Sequence, residues 1–434
     1  MRSIAMVAAC PFPANFGSSA SIRELANILG DRGYQVHVVT YPLGDAELPV
    51  GKARIWRTAY WRKQGRTYTG PAWEKFILDL LMVFTLIRVI REQKIDVIHA
   101  HNYEGVLIGM IAKLFTGRPL VYQAVNLMGD ELPSYGFIKP AFVARAMAAV
   151  LDWVVPRLPD FVIVISKELE SYFRARGFGD DRLALIPPGI YPAMFANPDP
   201  RRFREHYSLG SRKVVMYTGV SNAFQRIDYL LEAFKVVLQA EPSAVLMVIS
   251  PLAQERDLPK NQALAASLGI ADSVIWIEGQ KLADLPDYLA AADVTVIPRP
   301  DIPGYPLKLL NYLAAGKPVV CFAGAAKGVR HLHDVFAVPD HDLQAMGRAI
   351  VKVMQDQELA ASLAANGRNT VLSRFDWEIL CTEIEGVYSR VLGAERPVTS
   401  WPVESPPVAF PAAESIVRRE RSRLSSDSNA MAAK

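Results

Sequence analysis

The residues best suited to chemistry lie between positions 298 and 320, where a Pro- and Gly-rich loop precedes an apolar run. A strand is predicted to end near Ile297 and a helix to begin near Pro306, since proline is favoured at the first helical position. The free backbone amides of such a helix N-terminus bind phosphate groups, and the helix dipole strengthens the attraction. Lys308, in the first helical turn, adds a full positive charge. This stretch therefore predicts a phosphate-binding site.

One position on that helix carries an unusual residue type. Asn311 shares a helical face with Leu310 and Ala314, so an amide lies where an apolar side chain is usual. An amide both donates and accepts hydrogen bonds, and it could hold a polar ligand. An ordinary strand–loop–helix unit, in which Asn311 caps a loop, is the alternative interpretation.

The elements that position these residues follow from an alternation of short apolar runs with amphipathic helices, which is typical of parallel α/β domains. Two sets of five strands predict an α/β fold of two doubly wound Rossmann-like domains facing a cleft. The predicted strands lie at 4–9, 36–40, 97–99, 120–122 and 161–165 in the first set, and at 214–217, 245–249, 274–277, 294–297 and 319–321 in the second. Ligands bind at the carboxyl ends of the strands in such sheets, so the cleft is the expected binding region. The predicted segments are an N-terminal domain at 1–190, a linker at 191–210, a C-terminal domain at 211–375, a helix crossing between the domains at 376–393 and a disordered tail at 394–434.

Composition excludes several classes of protein. With 51% hydrophobic and 21% charged residues, the 434-residue chain is not wholly disordered. Its three scattered cysteines do not suit a disulfide scaffold or a cysteine-based zinc site, which favours a reduced cytoplasmic compartment. A net charge of +4, without an RNA- or DNA-binding module, does not indicate a nucleic-acid partner.

Neither a membrane span nor a metal site is expected. The apolar run at 76–90 contains Asp79 and Arg88, and it falls short of the ~20 residues that span a bilayer. His99 and His101 end one predicted strand, but no third ligand accompanies them. The apolar run before Cys10 is too short for a signal peptide.

Ten different short motifs follow one another along the chain between Ser3 and Leu392. They occupy 15–18, 23–26, 32–36, 96–101, 163–166, 186–190, 217–219, 230–234, 292–296 and 314–320. The ordered series, and above all the run Ala-Ala-Gly-Lys-Pro-Val-Val at 314–320, resembles the family 4 retaining glycosyltransferases, which have the two-domain GT-B fold.

The resemblance implies transfer of a sugar from a nucleoside diphosphate donor, held by the C-terminal domain, to a glycan or lipid-linked acceptor on the N-terminal domain. In the usual account of the family no protein nucleophile, metal or cofactor is needed, because the enzyme positions the substrates and stabilises the departing diphosphate. Lys308 and Arg226 are expected to neutralise that charge, with Gly17 and Asn126 on the acceptor side. The expected donor-binding residues are Gly219, Gln225, Arg299, Asp301, Gly304, Tyr305, Leu307 and Asn311.

The chain departs from the family pattern where the donor sugar and ribose bind. The two family glutamates fall on Pro303 and Asn311; an asparagine can still bind a ribose, whereas a proline cannot replace a carboxylate. Asp301, two residues before Pro303, is a candidate replacement. A histidine that faces the donor sugar in many relatives falls on Val125, so either Asn126 takes over that contact or it is lost.

The cations that usually hold the donor diphosphate also differ. The family arginine and lysine fall on Val220 and Gln225, and Arg226 could supply the missing charge or be an ordinary surface arginine. Two other functions therefore stay open. One is a degenerate relative that binds a nucleotide sugar or a partner without turnover, and the other is a nucleotide-sugar epimerase.

A basic and aromatic stretch at 52–68 contains no acidic residue. Basic residues together with interfacial aromatic residues suit an anionic membrane surface, which would place the protein at the inner face of the membrane. The alternative is a solvated loop followed by an ordinary core helix. The stretch comprises Lys52, Arg54, Arg57, Arg62, Lys63 and Arg66, interleaved with Trp56, Tyr60, Trp61 and Tyr68.

Overall fold

The computed structural model describes residues 2–14, 17–59, 73–135, 138–251, 256–300 and 304–394. Its strands form two fully parallel sheets, one in each half of the chain. The first sheet contains β1 (Ser3–Ala8), β2 (Gln35–Thr40), β3 (Arg54–Arg57), β4 (Val97–His101), β5 (Leu120–Ala124), β6 (Phe161–Val164) and β7 (Leu183–Leu185). The second contains β8 (Val214–Thr218), β9 (Val245–Ile249), β10 (Val274–Ile277), β11 (Val294–Ile297), β12 (Val319–Phe322) and β13 (Phe336–Val338).

Helices connect these strands and cover both sheets. Those of the first half are α1 (Gly17–Asp31), α2 (Trp73–Glu92), α3 (Asn102–Thr116), α4 (Met128–Glu131), α5 (Ala141–Val154) and α6 (Lys167–Arg174). Those that follow are α7 (Pro200–His206), α8 (Ile227–Ala240), α9 (Leu258–Ser267), α10 (Leu285–Ala291), α11 (Leu307–Ala314), α12 (Leu343–Gln355), α13 (Gln357–Arg374) and α14 (Trp377–Val391).

The strand orders are β3-β2-β1-β4-β5-β6-β7 and β10-β9-β8-β11-β12-β13. The direction in which successive strands are added to the sheet reverses once in each domain. The reversal lies between β1 and β4 in the first sheet and between β8 and β11 in the second. The apolar runs are almost completely buried, as expected for parallel strands covered by helices on both faces. The predicted α/β fold of two doubly wound sheets is therefore confirmed.

Three strands were not predicted from the sequence: β3, β7 and β13. All three lie at sheet edges and contain only three or four residues, so they lack a long apolar run. The predicted linker contains α7, and the predicted tail beyond residue 394 lies outside the described residues.

The first half of the basic stretch is tied to the fold. Arg57 Nη1 donates to the backbone oxygens of Phe12 and Leu43, both at 2.9 Å. Trp56 Nε1 donates to His37 Nδ1 at 3.0 Å. These residues of β3 are therefore not a solvated loop, while Arg62, Lys63 and Arg66 lie outside the described residues.

The last helix, α14, returns to the N-terminal domain. Trp377 Nε1 donates to Glu24 Oε2 at 3.0 Å, and Tyr388 Oη lies 2.7 Å from His99 Nδ1. Arg32 Nη1 pairs with Glu385 Oε2 at 3.1 Å. The chain thus crosses between the two sheets twice, and α14 packs on the domain in which the chain began.

Candidate functional site

A cavity of about 240 Å³ lies between the two domains. One wall is formed by α1, and the other by the carboxyl end of β8 and the first turns of α11. This is the reversal point of the second sheet, where ligands bind in doubly wound folds. Six of the predicted site residues line the cavity: Gly17, Gly219, Gln225, Leu307, Lys308 and Asn311.

Lys308 projects from the first turn of α11 toward the end of β8. Its Nζ donates to Tyr217 Oη at 2.7 Å and to Gln225 Oε1 at 2.8 Å. A Cβ at Gly219, whose φ is +128°, would lie 3.1 Å from this Nζ, so glycine leaves room for the ammonium. The first turn of α11 contains no acidic residue and has no side-chain cap from the described residues, so its first amides are available beside the ammonium.

Burial and the Arg299 guanidinium lower the pKa of Lys308 to about 7. Arg299 is itself buried, with its Cζ 3.1 Å from the centroid of the Phe224 ring. The Arg299 guanidinium thus repels the Lys308 ammonium, and no carboxylate among the described residues is bonded to Lys308. A bound anion would relieve their repulsion, and it would restore the proton on Lys308.

Arg226, the other expected cation, is directed elsewhere. Its Nη2 pairs with Asp228 Oδ2 at 2.7 Å, and its Cζ lies 3.2 Å from the centroid of the Tyr229 ring. It is not among the described residues that line the cavity. Lys308 therefore provides the charge at the β8 end, immediately beside Gln225, the position at which related sequences are expected to carry lysine.

The loop before α11 contacts the N-terminal domain. A Cβ at Gly304, where φ is +78°, would lie 2.9 Å from the backbone oxygen of Val125. Tyr305 points away from the cavity and donates its hydroxyl to the backbone oxygen of Lys327 at 2.7 Å. Asp301 lies outside the described residues, so its expected contact with a sugar stays a prediction.

The two predicted amide side chains have different surroundings. Asn126 does not line the cavity and donates through Nδ2 to Glu131 Oε1. Asn311 lines the cavity, and its side chain has no hydrogen-bond partner in the part of the chain that the structure describes. Asn311 is therefore the better placed of the two to bind a ligand.

The histidines of β4 are structural. Burial lowers the pKa of His101 to about 3, and burial together with His101 lowers the pKa of His99 well below its usual value. Their rings stack at 4.5 Å between centroids, and both are neutral at physiological pH. Within the described ranges, no cluster of three or more His, Cys, Asp or Glu side chains suits a metal ion.

Two charged residues of α1 line the cavity but were not predicted as site residues, Arg23 and Glu24. Burial raises the pKa of the Glu24 carboxyl group, which accepts a hydrogen bond from Trp377 Nε1. Arg23 is 5% exposed. In sequence both appear as ordinary polar positions of an amphipathic helix, and no local pattern indicates that they line a cavity.

Comparison with known families identifies both halves of the chain. Residues 16–189 match the family described as "Glycosyl transferase 4-like domain". Residues 200–370 match the family described as "Glycosyl transferases group 1". The two matches together cover both doubly wound domains and the cavity between them.

Individual relatives agree with these matches. The chain is 30% identical, over 64% of its length and 74% of the relative, to a GDP-mannose-dependent alpha-(1-6)-phosphatidylinositol monomannoside mannosyltransferase of Mycolicibacterium smegmatis. It is 26% identical, over 68% of its length and 71% of the relative, to a D-inositol 3-phosphate glycosyltransferase of Thermobispora bispora. Its fold is similar to that of sucrose-phosphate synthase from Thermosynechococcus elongatus, with a TM-score of 0.75, 21% identity, and coverage of 91% of this chain and 100% of that one.

Proposed function

Because the chain belongs to the glycosyl transferases group 1 family, with the GT-B fold, we propose that it is an active retaining glycosyltransferase. It transfers a sugar from a nucleoside diphosphate donor to a glycan or lipid-linked acceptor. The observation that carries this proposal is the Lys308 ammonium beside the uncapped first turn of α11, in a cavity between the domains.

The departing diphosphate is the group that this arrangement stabilises. Lys308 and the α11 amides face the cavity in a fixed geometry, so they need little reorganisation when negative charge develops on the leaving group. Asn311, one turn later on the same helix, is placed to bind the ribose. The α1 wall, with Gly17 at the first residue of the helix, faces the acceptor.

No nucleophile is needed from the protein in this proposal. Glu24 is the only carboxylate among the described residues that line the cavity, and its Oε2 accepts a hydrogen bond from Trp377. The reaction rests on positioning and charge stabilisation, with no metal or cofactor assigned a role.

The direct test is a donor panel. The purified full chain is mixed with UDP-, GDP- and ADP-sugars, with and without candidate acceptors, and release of the nucleoside diphosphate is measured. Calorimetric titration with each nucleoside diphosphate identifies the base. Tight binding without release from any donor–acceptor pair would favour the degenerate binder over the enzyme, and interconversion of a donor sugar without release would favour the epimerase.

We expect the double variant Val125→His with Asn311→Glu to release nucleoside diphosphate about three- to tenfold more slowly than the parent protein. The backbone at Val125 packs against Gly304, and the Asn311 side chain lines the cavity wall. Misplacing one or two polar contacts of about 0.5–1.5 kcal/mol each accounts for this loss. Asn369→Glu, at an exposed asparagine of α13, is the matched control. Faster release by the double variant would instead identify a decayed transferase whose missing groups had been restored.

We also propose a location, the anionic inner surface of a membrane, on the basis of a surface we call the apolar face. It consists of α2, α3 and α5, which pack beside one another on the first sheet. Of the eighteen exposed large apolar side chains in the described residues, twelve belong to these helices. They are Phe76, Leu80, Phe84, Leu107, Ile111, Leu114, Phe115, Phe142, Met147, Val150, Trp153 and Val154.

The charges around the apolar face favour an anionic lipid surface over a neutral one. Arg88, Arg91 and Arg145 are exposed on these helices, against one exposed acidic side chain, that of Glu92, among their described side chains. Exposed apolar patches of this extent are unusual for a protein that stays in solution. No helix in the described parts of the chain has the length and hydropathy to cross a bilayer. The apolar face therefore supports peripheral docking, which would bring a lipid-linked acceptor to the cleft.

Vesicle sedimentation tests this location. We expect the parent protein to bind mixed phosphatidylglycerol–phosphatidylcholine vesicles, and the triple variant Phe76→Ser, Leu114→Ser, Trp153→Ser to bind at least about tenfold more weakly, since each lost insertion costs roughly 1.5–3 kcal/mol.

The matched control replaces Leu332, Leu372 and Ile379 by serine; these side chains are exposed too but lie in the second half of the chain. It should bind like the parent protein. Equal sedimentation of the parent protein with and without vesicles would contradict the proposed location and leave the catalytic proposal untouched.

A further inference from the structure

Arg23 is a buried cation without a partner. It projects from α1 into the cavity between the domains and is 5% exposed. Its Nε has no hydrogen-bond partner, and its guanidinium forms no hydrogen bond or ion pair with any residue that the structure describes. Most arginines in folded proteins lie at the surface or are paired when buried, so this environment is unusual.

The nearest carboxylate compensates the Arg23 charge only in part: attraction to Arg23 offsets some of the rise that burial causes in the pKa of Glu24, but the two side chains form no ion pair. The neighbouring Glu24 lies on the same helix, but its carboxylate is hydrogen-bonded to Trp377 Nε1 at 3.0 Å. Arginine cannot lose its proton in a protein, so it cannot relieve the cost of burial as a lysine does. A buried charge without an ion-pair partner destabilises the folded protein, and a ligand that supplies the counter-charge stabilises it.

The other lining residues indicate which anion this is. The described residues that line the cavity include three cations, Arg23, Lys281 and Lys308, and one carboxylate, that of Glu24. The first turns of α1 and α11 contain no acidic residue, and both helices begin at the cavity. A guanidinium opposite an ammonium suits a ligand with several negatively charged oxygens, and a phosphate group fits this description best.

We propose that Arg23 is a phosphate-binding residue, supplied by the N-terminal domain to the site that Lys308 serves from the C-terminal domain. The inference rests on the proposed function in that the phosphate belongs to one of its two substrates. Val220, where related sequences are expected to carry an arginine, also lines the cavity. Arg23 replaces that charge from the opposite wall, so phosphate binding requires both domains.

The phosphate has two sources, the donor diphosphate or a phosphate on the acceptor. The first measurement is calorimetric titration of the parent protein and Arg23→Met with a nucleoside diphosphate, with the corresponding nucleoside and with inorganic pyrophosphate. For the donor source we expect the dissociation constants of the diphosphate and of pyrophosphate to rise about 10- to 100-fold, and that of the nucleoside to stay unchanged.

The second measurement covers the acceptor source. Inositol 3-phosphate and inositol are compared as acceptors at saturating donor. If the phosphate belongs to the acceptor, Arg23→Met raises KM for inositol 3-phosphate about tenfold or more, and leaves KM for inositol and the affinity for nucleoside diphosphate unchanged. Arg348→Met, an exposed arginine of α12, is the matched control in both measurements.

Thermal unfolding distinguishes a binding residue from a structural one. Without ligand, Arg23→Met should unfold at the same temperature as the parent protein or higher, because methionine removes an unpaired buried charge. Arg23→Lys, which keeps a charge, should retain part of the phosphate affinity and provides a second variant if methionine is not tolerated.

Unchanged affinities for diphosphate, pyrophosphate and phosphorylated acceptor in Arg23→Met would overturn the inference. Failure of the proposed function would give a different result from failure of this inference. The parent protein would then release nothing from any donor, while pyrophosphate would still stabilise the parent protein and not Arg23→Met.

Discussion

Replacing Lys308 by methionine should lower kcat/KM for the sugar donor by about 100-fold, equivalent to roughly 3 kcal/mol. Methionine occupies a similar volume but cannot donate to a phosphate. Part of the loss appears as weaker binding of the nucleoside diphosphate, by about 1.5–3 kcal/mol, and the rest as slower departure of the leaving group. Steady-state release of nucleoside diphosphate and calorimetry measure the two components separately. Lys352→Met, on the exposed side of α12, is the matched control.

The position of Gln225 allows a stricter version of this experiment. The Lys308 ammonium lies 2.8 Å from Gln225 Oε1, so a lysine at 225 would bring a charge back to nearly the same place. Adding Gln225→Lys to Lys308→Met should therefore recover at least about tenfold of the lost kcat/KM. Full activity in the single variant would exclude Lys308 from the site, and a loss that Gln225→Lys cannot reverse would show that the α11 location itself matters.

The second large effect is a fall in nucleoside diphosphate affinity as the pH rises from 7 to 9. In the free protein, burial and Arg299 lower the pKa of Lys308 to about 7, so its charge is progressively lost across this range. The last phosphate ionisation, near pH ~6, is already complete. Only protonated Lys308 attracts the diphosphate, and affinity should fall by up to about tenfold per pH unit. Calorimetry across this pH range should show the slope in the parent protein and its absence in Lys308→Met.

Stability of the ligand-free protein should change in the opposite direction. The unfolded chain keeps its Lys308 proton up to about pH 10.4, whereas the folded protein releases it near 7, so the unfolded state binds more protons between these values. The free energy of unfolding therefore rises with pH between these two values. Below about pH 7 the folded protein carries the full cost of burying the charged Lys308 ammonium. Denaturant titrations at several pH values, compared with Lys308→Met, test this. Parallel slopes for the parent protein and the variant would show that Lys308 is not the titrating group.

Much of the fold could be predicted because its signals are local. The ten predicted strands are buried apolar runs, and α1 and α8 show apolar residues at helical spacing. The position of Lys308 in the first turn of α11 was also predictable, since it depends on a loop and the helix that directly follows. Each of these features is set by at most about 18 consecutive residues, which is the range over which sequence periodicity is informative.

What escaped prediction depends on contacts between distant segments. Gln225 and Lys308 are 83 residues apart, and only folding brings the Lys308 ammonium to the Gln225 side chain. Arg23 looks like a solvent-facing position of α1 in the sequence, but it lines the cavity between the domains and is buried. Conversely, α2 was open to interpretation as an ordinary core helix, yet Phe76 is 79% exposed, because apolar residues occur on every side of this helix and periodicity cannot identify the outer one.

The return of α14 to the first domain has a consequence for the order of synthesis. Trp377 and Tyr388 are almost completely buried, and the Tyr388 hydroxyl contacts the N-terminal core at His99. A ribosome that has completed β7 must therefore add the whole C-terminal domain before the N-terminal one can be finished. At about 5–20 residues per second, this delay lasts roughly 10–40 seconds. The nascent first domain spends that time with the α14 binding surface uncovered, so the two domains reach their final packing together rather than in sequence.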